Sequence, residues 1–464
     1  MILKKPPGFK ILLIVFPVAI IVGIGCAQKI KPLVSTPIGV KVAALSPKLS
    51  SAYAGILEVL LAKDIKIEIN SLPNVGLNAS ITPQWNILDK LSEKEDELAL
   101  VPVSTGSKEI NYYESRISFR ADGTPSVTRK RFSDRERVIG LKLLNTETGE
   151  VEVIKASTKI TTNGVSLVAP AGYQIEIAER PNGIRWNLWN TLYRVTTPKN
   201  TVVIKNLFPR EVTETVSRVV KGKVRKESRK VVMGFLYVPH SEFFEEDENS
   251  DILVDAGVNR VKNVVSQAFA ILGDRNVMSR AIPGTLVSDV KALDPRFFER
   301  LPLLEQGDLT EFTFNPEKTA KRTLIILGAN GEDAWRYTCN WVDACGWVQF
   351  TPRTYRTIRT TYPAAKLMVN FKDGAGDQLN SIMAAILLHD YNLNGLVDRY
   401  GNKILIDPRL EEYLAASYNG SPTHVYRSLT ATLGKNVADW TKYLKSETHG
   451  FMFKLRYLIK NDLP

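Results

Sequence analysis

The stretch Glu242-Phe-Phe-Glu-Glu-Asp-Glu-Asn-Ser-Asp251 decides how this chain is divided. It is a short acidic run in a protein whose formal net charge is +12, and the residue pattern changes character across it, which marks a boundary. Downstream, Val258, Val261, Val265, Ala268 and Leu272 recur every three to four residues and predict one apolar helix face. Phe297 to Phe312 reads as a further helix. Asn315-Pro316 supplies an N-cap and a first-turn proline for a helix containing Leu324 and Leu327, with Gly328 and Gly331 at its end.

Upstream the pattern is that of strands. Val151 to Lys155 and Tyr173 to Ile177 alternate with a period near two, and Thr148-Gly149, Asn163-Gly164 and Asn182-Gly183 punctuate them as turns. A β-sandwich or small barrel is the expected arrangement. Arg218 to Lys230 is rich in Lys and Arg, and reads as a solvated basic hairpin or as one that touches an anionic polymer. No aromatic residue interrupts it, which argues against nucleic acid as its partner. Residues 27–110 predict a mixed α/β region, with a helix over Ser51 to Ala62 and strands over Ile65 to Ile69 and Leu98 to Val103. The expected fold class is α+β multidomain: an N-terminal segment 1–26, the mixed region 27–110, a β-rich accessory domain 111–245, and a mainly α-helical domain 251–464.

A chain of 464 residues exceeds one ordinary core. With 44% hydrophobic and 24% charged residues it is globular, not disordered. The positive charge favours polyanions: nucleic acid, anionic lipid or the acidic polymers of a cell envelope. The N-terminus discriminates among them. Lys4, Lys5 and Lys10 precede an apolar run from Ile11 to Gly25, and Cys26 follows small residues, which is the layout of a secretory signal. Cys26 is a lipidation candidate, an uncleaved anchor is the alternative, and a buried hydrophobic element is the third reading. The first two export the body of the protein to the cell envelope or periplasm, attached to the membrane. There Cys339 and Cys345 are free to pair, or else are two buried thiols. No histidine lies near them, so no metal site is expected. Asp390-Tyr-Asn-Leu-Asn-Gly395 imitates the start of a calcium loop but has Gly401 at its twelfth position, and reads instead as an Asn-Gly turn after a helix.

Glu332 falls just past the helix that begins at Asn315, at the mouth of a loop containing Trp335, Tyr337, Trp341 and Trp347. A carboxyl beside indole rings loses hydration and keeps its proton, as a general acid must. The rings would offer flat faces to sugars.

Ala344-Cys-Gly-Trp-Val-Gln-Phe-Thr-Pro-Arg-Thr-Tyr355 resembles the Gly-Leu-Met-Gln segment, with its following Pro-x-Thr, of the soluble lytic transglycosylase and goose-type lysozyme superfamily. Asn380-Ser-Ile-Met-Ala-Ala-Ile-Leu-Leu388 resembles that family's next helix. Ala416-Ser-Tyr-Asn-Gly420 resembles its Ala-Tyr-Asn segment, and Glu447-Thr448 with Phe451 its terminal Glu-Thr-x-x-Tyr. The resemblance implies a lysozyme-like domain that cleaves the MurNAc–GlcNAc β-1,4 bond of peptidoglycan glycan strands, without a cofactor, forming a 1,6-anhydro-MurNAc end. Glu332, seventeen residues before Gln349, would be the acid and then the base. Gly346, Gln349, Tyr418 and Asn419 would hold the sugars, and a Cys339–Cys345 disulfide would stiffen the cleft wall. Asp333 stands where the family has serine and is a candidate second carboxylate, as is Asp343. Phe451 replaces a tyrosine, and Leu393 to Pro408 reads as an insertion. Two rivals remain at this level: a non-catalytic envelope protein that grips peptidoglycan and serves a larger machine through its N-terminal region, and a lysozyme-type muramidase.

Overall fold

Two short helices, α1 (Ile87–Ser92) and α2 (Glu95–Ala99), open the described part of the chain. The computed structural model describes residues 85–464 apart from 120–123, 184, 187, 221–222, 341 and 433–439, and these belong to one unit that begins at Ile81. The segment 1–26 with Cys26, the helix expected over Ser51 to Ala62 and the strand expected over Ile65 to Ile69 lie outside the described residues. The strand expected over Leu98 to Val103 is absent: Leu98 and Ala99 end α2, and Leu100 to Val103 form the turn and irregular link to the next element. The first turn of α2 holds Glu95, Asp96 and Glu97, which favour a helix N-terminus, and buried Leu98 packs against Gly140.

The strands are β1 (Ser104–Phe119), β2 (Pro125–Asn145), β3 (Val151–Thr161), β4 (Gly164–Val168), β5 (Gln174–Ala178), β6 (Leu192–Thr197), β7 (Thr201–Val220) and β8 (Lys223–Tyr237). They form a six-stranded antiparallel sheet of order β4-β3-β2-β7-β8, with β1 on β2, and a separate two-stranded β5-β6 sheet. This is an open sheet, not the sandwich or barrel expected. The reason lies in β2 and β7, which change partners part-way along. β2 pairs with β1 from Pro125 to Val138 and with β3 and β7 only beyond that point, while β7 past Leu207 pairs with β8 alone, out to Val220 opposite Lys223. Two long ribbons result, the second containing the basic hairpin. Gly149, Gly164 and Gly183 all take positive φ at the turns expected of them.

The helical region contains α3 (Asp247–Asp274), α4 (Pro295–Gln306), α5 (Leu309–Phe314), α6 (Pro316–Asn330), α7 (Pro352–Thr361), α8 (Phe371–Gly376), α9 (Gln378–Tyr400), α10 (Leu410–Gly420), α11 (Pro422–Thr432) and α12 (Ser446–Lys460). The chain is thus mixed α+β with a helical C-terminal region. The helix expected over Phe297 to Phe312 is two, broken where Gly307 closes α4 and the Asp308 side chain caps α5. Gly328 lies inside α6 and not at its end. A Cβ there would stand 2.0 Å from the Leu253 carbonyl oxygen, and one at Gly257 would stand 2.2 Å from that of Leu324, so these two glycines let α3 and α6 pack backbone to backbone. The expected Asn-Gly turn at 394–395 is also absent, because α9 runs through it.

One apolar cluster joins the two halves. Trp189, Phe235 and Tyr237 from the strand region pack with the cores of α3, α4, α9, α10 and α12. The acidic segment that marks the change of pattern is an anchor. Glu245 accepts from Arg322 at 3.0 Å and Lys318 at 2.7 Å, and Arg322 shares Glu311 with Arg180. No helix among the described residues is long and apolar enough to cross a membrane.

Candidate active site

Helix α4 is built to end on a carboxylate. The Asp294 side chain accepts from the Arg296 N–H at 2.9 Å, Pro295 occupies the first turn, and Phe297, Phe298, Leu301, Leu303 and Leu304 are buried. The helix then emerges from the core at half-buried Glu305 and Gln306. Gly307 stops it by donating to the Leu303 carbonyl at 3.0 Å.

The last turn of α4 meets the loop around Gly346. Gln306 Nε2 donates to the carbonyls of Gly346 at 3.2 Å and Trp347 at 2.8 Å. Gln349 Nε2 donates to the same Gly346 carbonyl at 2.7 Å, and the Tyr418 hydroxyl donates to the Val348 carbonyl at 2.6 Å. Three successive carbonyls of one turn are therefore fixed by side chains from α4, α10 and the turn itself. Gly346 has φ +76°, and a Cβ on it would fall 1.8 Å from the Ala375 carbonyl oxygen, so only glycine fits. Trp347 does not face a cleft. It is buried, and its Nε1 donates to Ser381 Oγ at 2.7 Å.

Burial pushes the Glu305 carboxyl up, to about 8; Lys454 opposes the rise and Glu447 adds to it. Glu305 as a whole residue is half-buried, and its carboxyl lies deep among protein atoms. Burial also raises the Tyr418 phenol well above its ordinary value, with the Glu305 charge adding to the effect, so the two groups share one environment. Tyr418 packs on Phe350 and on His389, and burial pushes His389 down to about 3, leaving it neutral. Asn419 Oδ1 is buried without a protein partner. Thr448 is packed against Gly420, which brings Glu447-Thr448 of α12 to the end of α10.

Of the residues singled out from sequence, Gly346, Gln349 and Tyr418 thus come together around Glu305 and Gln306, with Asn419 next to Tyr418. Glu332 sits elsewhere, in a single 3-10 turn, Gly331–Asp333. It is exposed, and Arg336 feels its charge. Asp333 pairs with Arg336 at 3.1 Å, and Asp343 is exposed. Trp335 turns inward and packs on Trp189, so it does not shield Glu332. Trp341 lies outside the described residues. Cys339 and Cys345 are joined in a disulfide. Phe451 is buried.

Comparison of the chain with protein families, with curated proteins and with solved structures returns no match. The site therefore has to be judged on its own chemistry. Among the described residues no three His, Cys, Asp or Glu side chains cluster to hold a metal ion. Asp390, the first residue of the calcium-like segment, is engaged by Ser279, the Arg280 N–H and Tyr362. A cavity of about 570 Å³ lined by Glu93, Leu143, Glu150 and Thr201 lies on the sheet, apart from the Glu305 group. Sequence reasoning does not single out Glu305, Gln306 or Lys454. The signal that points to them is Leu301-Pro-Leu-Leu-Glu-Gln-Gly307, a fully apolar block that runs straight into a carboxylate and a helix stop.

Proposed function

We propose that this protein is a lytic transglycosylase with a lysozyme-like helical domain, and that Glu305 is its acid. The observation that carries the reading is the Glu305 carboxyl itself: pushed up to about 8 by burial, near enough to Tyr418 for its charge to act on that phenol, and next in the chain to Gln306, which holds the Gly346 turn. Such a group is protonated at neutral pH and able to donate. We move the acid from Glu332 to Glu305 because the desolvation that the chemistry needs acts on Glu305, whereas Glu332 is exposed.

The reaction needs only one carboxyl. Glu305 gives its proton to the oxygen linking N-acetylmuramic acid to N-acetylglucosamine as the C1–O bond breaks. The resulting carboxylate takes the proton of the C6 hydroxyl, whose oxygen closes on C1 to form the 1,6-anhydro ring, and no water is consumed. The Gly346–Gln349 turn would frame the sugar. The disulfide supports an oxidising compartment, in keeping with export to the envelope and attachment there through the N-terminal segment.

A second reading, lysozyme-type hydrolysis, draws on Glu447, an exposed carboxylate within electrostatic reach of Glu305 that would activate a water. Digestion of purified peptidoglycan sacculi followed by mass spectrometry separates the readings. Anhydro ends support transglycosylation and reducing ends support hydrolysis. A wild-type protein that releases nothing leaves only the non-catalytic grip on glycan strands.

A further inference from the structure

Helix α12 places a lysine where the core would accept an apolar residue. Lys454 is 7% exposed, and its Nζ donates to the carbonyl of Leu304 and, at 2.9 Å, to that of Gly307. These are the residue before Glu305 and the second residue after it. Their carbonyls close the last turn of α4, where unpaired acceptors and the helix dipole concentrate negative charge. The Phe451 ring lies 5.8 Å from the same Nζ.

Burying an ammonium is costly unless it is compensated, so a methionine would do the packing better. The lysine is accounted for by what faces it. Burial pushes the Lys454 ammonium down, and Glu305 on α4, Asp308 in the turn that follows, and Glu447 on α12 oppose this and favour its charge. Tyr418 on α10, backed by neutral His389 on α9, completes the surroundings of Glu305. A carboxylate in this pocket, with Glu447 beside it, is unfavourable by itself, yet the second half of the proposed reaction requires one. Lys454 is the cation that acts on Glu305 from within the core.

We infer that Lys454 is a positioning residue for Glu305: it pins the end of α4 and, by its charge, keeps the Glu305 carboxylate attainable as a base after its proton has been given up. This rests on the reading of Glu305 as the acid. Removing the charge makes ionisation of Glu305 harder, so the alkaline limb of activity, which marks loss of the acid proton, moves to higher pH.

The test is the pH profile of kcat/KM for release of soluble fragments from peptidoglycan sacculi by the full-length protein. Lys454→Met should shift the alkaline limb upward by about one pH unit or more, the scale of a nearby opposite charge, and lower the maximal rate about tenfold. Lys454→Arg, which keeps the charge, should restore the limb. Lys454→Gln removes the charge while keeping a donor for a carbonyl, and gives the same shift where the methionine variant does not fold. A limb that stays in place while only the amplitude falls overturns the inference and makes Lys454 a structural cap. Glu305→Gln separates this failure from the other. If that variant keeps wild-type release, the assignment of Glu305 is itself wrong; if it is inactive while the limb is unmoved in Lys454→Gln, only the role of Lys454 falls.

Discussion

Replacing Gly346 by alanine disturbs the turn that the account makes the floor of the site. At φ +76° an alanine is strained by about 1 kcal/mol. Its Cβ would also stand 1.8 Å from the Ala375 carbonyl oxygen, where non-bonded atoms settle near about 3.5 Å, so the turn must retreat by roughly 1.5 Å. That retreat breaks the bonds of Gln306 to the Gly346 and Trp347 carbonyls, now 3.2 and 2.8 Å, and strains the Gln349 bond of 2.7 Å. With each bond worth about 1 kcal/mol net, Gly346→Ala should destabilise the fold by about 3 kcal/mol and slow fragment release about 100-fold through misplacement of the site. Urea unfolding reads the first effect, as a lower midpoint at unchanged slope, and a sacculus digest reads the second. Gly284→Ala is the control. Gly284 has φ +83°, and a Cβ added there would meet nothing within 4 Å, so it carries the strain without the clash and should cost only about 1 kcal/mol. Equal losses for the two variants, with activity kept at Gly346→Ala, would refute the close approach of the turn to Ala375 and its part in the site.

Two further outcomes follow from the same group of residues. Tyr418→Phe removes the donor to the Val348 carbonyl and should cost about 1–2 kcal/mol in urea unfolding, with kcat falling more than KM rises; unchanged stability and kcat would exclude Tyr418 from the site. The Glu305 carboxyl is raised in the folded state, so the fold retains a proton that the unfolded chain releases. Its contribution to stability is complete below the ordinary glutamate value of 4.5 and is lost as pH rises toward about 8. Urea midpoints at pH 5 and pH 8 should therefore converge in Glu305→Gln compared with wild type, whereas an identical pH dependence in both proteins would show that Glu305 is not buried.

The α+β division is legible in the sequence because its signals are local. The pattern from Val258 to Leu272 falls on α3, Asn315 caps α6 by accepting from the Lys318 N–H, and the glycine turns at 149, 164 and 183 lie where chemistry requires them. What the sequence conceals is distance through the fold. Counting back from Gln349 leads to Glu332, because nothing in a linear count announces that a buried carboxyl, Glu305, lies on the far side of α5 and α6 from the Gly346 turn. Packing closes that gap through Gln306, whose amide reaches the carbonyls of residues forty and forty-one positions away. The aromatic company of Glu332 misleads for a related reason. Trp335 and Trp347 are core residues, and only the fold reveals that their faces point inward. Open-sheet topology is equally hidden, since β2 and β7 change partners in mid-strand and pairing between distant segments is not a local signal.

The most direct test of the central claim compares Glu305→Gln with Glu332→Gln on purified peptidoglycan sacculi, each confirmed as folded, with released fragments identified by mass spectrometry. The account expects wild type and Glu332→Gln to release anhydro-ended fragments at similar rates, and Glu305→Gln to release almost none. An active Glu305→Gln beside an inactive Glu332→Gln would contradict it and return the chemistry to the exposed turn at Gly331–Asp333.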